Sequence, residues 1–129
     1  MPIRNLLITT TDQDLVQVPD PYKAIGTWDP LDPLDPPARR YAVTNILVCN
    51  NEVPNIIHEE AGTTNFDMHI VKRNEAKGDI NKVVNSLQMP SGETFTFDSE
   101  KIVLESGDRI VIVGDSPTNL SATVSWLEV

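Results

Sequence analysis

The sequence predicts an all-β fold. The expectation is a single β-sandwich domain spanning 1–129, jelly-roll-like, of about eight antiparallel strands, with a Pro/Asp-rich arm inserted at 20–40. Three observations carry this. Short apolar runs recur at intervals of roughly 8–12 residues, separated by Gly, Pro, Asn and Asp turn formers, as in sandwiches and barrels. The apolar material is mainly Val, Ile and Leu, because aromatics make up only 5% of the chain. No stretch of helical period is long enough to count; the best, 75–84, is interrupted by Gly78.

The elements are taken in chain order. Residues 3–10 and 15–18 read as two strands around the polar pair Thr11-Asp12, the second ending at Pro19. Residues 41–50 form the strongest internal strand, with Ala42, Thr44, Ile46 and Val48 on one face and Tyr41, Val43, Leu47 and Cys49 on the other. Cys49 sits in an apolar run and reads as a small buried hydrophobe. Residues 65–72 alternate, with Phe66, Met68 and Ile70 inward and Asp67, His69 and Val71 outward. A charged turn comes next, then a strand over 80–87 with Val83 and Leu87 on one face. Pro90-Ser91-Gly92-Glu93 is a turn leading to a short strand, 94–97.

The C-terminal stretch is the most regular. Residues 101–104 form a short apolar run, and Ser106-Gly107-Asp108 a turn. Residues 109–113 are nearly all β-branched and suit burial on both faces. Gly107 and Gly114 read as positive-φ turn positions. In 122–129, Ala122, Val124, Trp126 and Glu128 point one way, and Thr123, Ser125, Leu127 and Val129 the other. Trp126 is expected in the core. The last residue is still in register, so the chain is expected to end inside a sheet.

The arm differs from everything around it. Pro21, Pro30, Pro33, Pro36 and Pro37 remove amide donors, which excludes a helix or a central strand. Within it, Asp29, Asp32 and Asp35 recur every third residue beside prolines, the period of a polyproline II helix. The three aspartates would then line one edge, and Leu31 and Leu34 another. Trp28, Leu31 and Leu34 are more apolar than a free spacer requires. Trp28, Asp29, Leu31, Asp32, Leu34 and Asp35 are therefore the candidate partner-binding residues.

Chemistry is sparse. The net charge is −9, with 19 acidic and 10 basic residues, the wrong sign for binding nucleic acid through counterion release. One cysteine allows neither an intrachain disulfide nor a four-cysteine metal site. His58-Glu59-Glu60 lacks the spacing of a transition-metal site. Successive aspartates of the arm would lie about 9 Å apart at 3.1 Å rise per residue, too far to share a cation. No Gly-x-Ser-x-Gly elbow and no glycine-rich phosphate loop is present. The expectation is no catalytic residue, no cofactor, no metal and no enzyme. No apolar run approaches the ~20 residues that span a bilayer. The N-terminus does not read as a signal peptide, so synthesis in the cytoplasm and no membrane partner are expected.

The order of pieces resembles a known group. Thr9-Thr10-Thr11 with Leu15-Val16-Gln17-Val18-Pro19 comes first, then the strand from Tyr41 to Asn50 and the run from Phe66 to Lys72. Met89-Pro90-Ser91-Gly92-Glu93-Thr94-Phe95 is next, then Leu104-Glu105-Ser106-Gly107-Asp108 and Val124-Ser125-Trp126-Leu127-Glu128-Val129. Over 9–129 this is similar to small β-sandwich virion proteins of tailed bacteriophages, of the marine and cyanobacterial type. The chain departs from that pattern at 20–40, where the short connection after Val18-Pro19 is replaced by the arm. The resemblance implies a non-enzymatic virion component of the neck, tail or capsid, partnered by other virion proteins. The rival readings are a capsid decoration (cement) protein and a glycan- or receptor-binding module of a tail appendage. Short strands and the arm suggest a homo-oligomer, with a trimer as first expectation.

Overall fold

A computed structural model describes residues 2–19, 39–54, 57–58, 61–97, 102–116 and 118–129. Among the described residues, nine strands form two antiparallel sheets. β1 (Ile3–Leu7), β9 (Leu120–Glu128), β3 (Arg40–Asn50) and β6 (Thr94–Phe97) lie side by side in that order in sheet A. β7 (Ile102–Glu105) also pairs with β3. Sheet B runs β2 (Gln13–Gln17), β8 (Arg109–Gly114), β4 (Thr64–Val71), β5 (Lys82–Met89). Arg40, the last residue of the expected arm, is thus the first of β3.

This order is a rolled ribbon. β1 pairs with β9, β2 with β8, β3 with β6 and β7, and β4 with β5, taking the chain from its ends inward. Rolling the ribbon brings β9 beside β3 and β8 beside β4, the jelly-roll arrangement. β6 pairs with residues 46–49 of β3 and β7 with residues 40–43, along the same edge. They are two pieces of one strand position, so nine strands fill eight positions.

The core lies between the sheets. Val43, Ile46, Val48, Leu120, Ala122 and Val124 of sheet A meet Leu15, Phe66, Met68, Ile110 and Ile112 of sheet B, all buried. Each large side chain buried here contributes about 1.5–3 kcal/mol. Phe66 meets Phe95 edge-on with ring centroids 5.9 Å apart, a favoured aromatic geometry.

Three expectations about strand faces or their exposure change, and bulges explain two of them. In β3, Val43 pairs with Trp126 but Asn45 pairs with Ser125, leaving Thr44 as an extra residue. One inserted residue reverses the facing of the rest of the strand. Tyr41 and Val43 therefore point inward together with Ile46 and Val48, while Cys49 lies on the outer face, half-buried, opposite Thr94 and Ser121. In β5, the register against β4 shifts twice. Ser86 takes a left-handed φ of 49° there, and its N–H donates to Asp67 Oδ1. Val83 is consequently exposed, and Val84 and Leu87 pack on the core.

The third change is on sheet B. His69 and Val71 point outward as expected but are buried, like their neighbour Val111. The segment linking β4 to β5 turns back over this face. Its 3-10 turn, Asp79–Asn81, packs near β4, and Lys77 reaches across to Asp12 with Nζ–Oδ1 at 2.7 Å. Gly114 differs too. It belongs to β8 and has no positive φ; a Cβ there would come within 2.9 Å of Ile8 Cγ2, so close packing selects glycine. Gly107 has the expected positive φ, 86°.

Candidate functional site

The expected partner-binding residues Trp28, Asp29, Leu31, Asp32, Leu34 and Asp35 lie outside the described residues. What the structure gives is the base from which that segment departs. Before it, Val18 N–H donates to Asp108 O at 3.0 Å, and Val18 O accepts from Gly107 N–H at 3.1 Å. After it, Arg39 N–H donates to Ser106 Oγ at 2.8 Å. Both flanks of 20–38 are fastened to one turn, Ser106-Gly107-Asp108.

That turn is itself braced. Asp108 is buried, and its carboxylate accepts two backbone N–H groups, from Arg73 through Oδ1 and from Glu105 through Oδ2, each at 3.0 Å. A Cβ on Gly107 would come within 2.6 Å of the Arg73 side chain. Beside it, Arg39 forms a two-pronged bond to Glu128, Nε–Oε1 2.7 Å and Nη2–Oε2 2.8 Å. The Arg39 guanidinium lies 5.5 Å from the Tyr41 ring centroid, and Tyr41 stacks on Trp126 at 5.5 Å. The bond to Glu128 holds the Arg39 pKa above its ordinary value, and the same bond lowers that of Glu128. Trp126 is half-buried, packed on the rim of the core rather than within it.

A second loop cluster closes another part of the sandwich. Asn50 Nδ2 donates to Gly62 O at 2.8 Å and Met89 O at 2.9 Å, while its Oδ1 accepts from Glu52 N–H. Asn119 Nδ2 donates to the same Gly62 O, and Ser91 Oγ donates to Ala61 O. These amides tie together the backbone of three loops, a structural use. Among the described residues, no group of three or more His, Cys, Asp or Glu could hold a metal ion. No helix among them is long and apolar enough to cross a membrane.

The two outer faces differ. That of sheet B carries Asp67, Arg109, the Lys77–Asp12 pair and buried His69. Burial pushes the His69 imidazole pKa down, Lys77 and Lys82 push it further, and Asp67 and Asp12 oppose them. The outer face of sheet A is mostly Ser, Thr and Asn, with Ala42, Leu47 and Cys49 of β3 among them and larger exposed apolar side chains on its other strands. The sequence did hold this signal, in the outward positions Ser121, Thr123 and Ser125 of β9, but only the register of five strands assembles them into one surface. No family model, no curated protein and no solved structure matches the chain.

Proposed function

We propose that the chain is a non-enzymatic structural protein of a tailed-bacteriophage virion, a neck, tail or capsid accessory component that docks by subunit–subunit contacts. One observation supports it above the rest: a jelly roll holds both flanks of an acidic, proline-rich segment on a single braced turn. Jelly rolls serve as viral capsid and lectin domains among others. Partner recognition is placed in the segment, with Leu31 and Leu34 seated in a groove of a neighbouring virion protein and Asp29, Asp32 and Asp35 facing solvent or a basic patch. A segment already extended as polyproline II loses less chain entropy on docking.

Capsid decoration is the same docking chemistry at another place in the particle. A glycan-binding module would need exposed aromatic faces. Tyr41 and Phe66 are buried, and Phe95, Phe97 and Trp126 pack against the core, so that reading depends on Tyr22 and Trp28. The test replaces residues 25–37 by a short Gly/Ser linker. Circular dichroism then reads the fold, and mass spectrometry of purified virions reads incorporation. A folded protein that no longer incorporates is expected; normal incorporation refutes the docking role.

A further inference from the structure

The outer face of sheet A is nearly uncharged in a chain of net charge −9. Ser121, Thr123 and Ser125 of β9 form one row, and Thr94 and Thr96 of β6 another, with half-buried Leu47 and Cys49 of β3 between them. Asn5 lies in register with Thr123 and accepts a 2.8 Å bond from its hydroxyl. Among the described residues, the charged side chains in outward register are Arg40 and Glu105, which pair with each other at one end, 3.7 Å apart. Four large apolar side chains share this face and are open to solvent: Ile3 at 64%, Leu7 at 69%, Val103 at 56% and Leu127 at 42%. Such a surface marks an interaction site more often than a bare solvent face.

We propose that this face packs against the same face of a second copy of the chain, back to back about a two-fold axis. The inference deepens the subunit–subunit part of the proposed function by naming the surface. Charge selects its occupant. Two copies repel through most of their surfaces, since each carries the same excess of carboxylates. An uncharged face is complementary to itself, as an isologous contact requires. The Ser and Thr side chains are short, so two such sheets approach closely across the contact. The area suffices. Four strand positions about 4.8 Å apart and about nine residues at 3.3 Å rise give roughly 600 Å² per copy. Two copies then bury more than about 1,000 Å², the lower bound for a specific interface. The contact closes at two copies, and a trimer would need a further, head-to-tail contact.

Sedimentation of the full chain at micromolar concentration tests this, with Thr123→Glu at the centre of the face and Thr96→Glu on its edge strand as variants. Both positions point outward, and Thr96 is exposed, so at least one variant keeps the fold; the melting temperature identifies which. The wild type is expected to be a dimer. A folded variant is expected to be monomeric, its dimer weakened about a hundredfold or more, because like charges meet across the axis. Val83→Glu, on the other sheet, should leave the dimer intact. A wild type that stays monomeric overturns the inference, and so does an oligomer indifferent to both face variants. Incorporation into virions separates the two claims: a monomer that still incorporates removes the two-fold contact and leaves the virion reading standing.

Discussion

Asp108→Ala should loosen the base of the arm and the whole sandwich with it. The Asp108 carboxylate is buried and accepts two backbone N–H groups, at 3.0 Å each, from Arg73 and Glu105. Alanine removes the acceptor of both. A hydrogen bond to a charged group contributes about 1.5–3 kcal/mol, and water reaching the vacated site recovers part of it. The expected loss is about 3 kcal/mol. Unfolding entropy near 2.1 cal/mol/K per residue gives about 0.27 kcal/mol/K for a chain of this length. The melting temperature should therefore fall by about 10 °C. Asp108→Asn keeps one acceptor and turns an amide N–H towards the second donor, so it should lose about half as much. Urea denaturation should show a lower midpoint at unchanged slope. A shift below about 2 °C for Asp108→Ala would refute the reasoning, because the two backbone bonds to its carboxylate would then contribute almost nothing.

Two further outcomes concern buried side chains. His69 has a lowered pKa in the folded protein, chiefly through burial; the unfolded chain takes the proton first, so stability should fall as pH drops below the ordinary histidine value of about 6.5. Melting curves from pH 7.5 to 5.5 should show that slope, and His69→Phe should flatten it; an equal slope in the variant would place its origin elsewhere. Trp126→Ala removes a half-buried ring stacked on Tyr41 and should cost about 2–3 kcal/mol in a thermal melt, less than the 3–5 of a fully buried aromatic; an unchanged melt would remove Trp126 from the packing.

Much of the fold is legible in the sequence because short-range pattern decides it. The run Ile110-Val111-Ile112 reads as a strand buried on both faces, and all three are fully buried. The alternation from Ala122 to Glu128 gives the facing of β9 correctly, since no bulge falls within β9 itself. The pattern of β3 misleads beyond Val43 because Thr44, the inserted residue, carries no glycine or proline to mark it. That of β5 misleads for the same reason, as Ser86 occupies a backbone region usually left to glycine. The burial of His69 and Val71 goes with a covering segment whose Lys77 reaches Asp12, 65 positions away, beyond the reach of periodicity. The Ser106-Gly107-Asp108 turn is legible as a turn. Its role as a clasp is not, because one of the two amides that Asp108 accepts belongs to Arg73, 35 residues earlier.

The clasp also changes what the sandwich can tolerate. Val18 and Arg39 are brought together by the sandwich itself, through bonds to Gly107, Asp108 and Ser106. Whatever runs between them has no structural distance left to bridge. Closing a flexible loop costs only about 0.6 kcal/mol more for each doubling of its length, so this position accepts segments of different length and composition at little expense to the core. The segment can then change by insertion and exchange while the jelly roll stays fixed. The same property makes the junction between residues 19 and 39 the natural place to graft a foreign peptide for display.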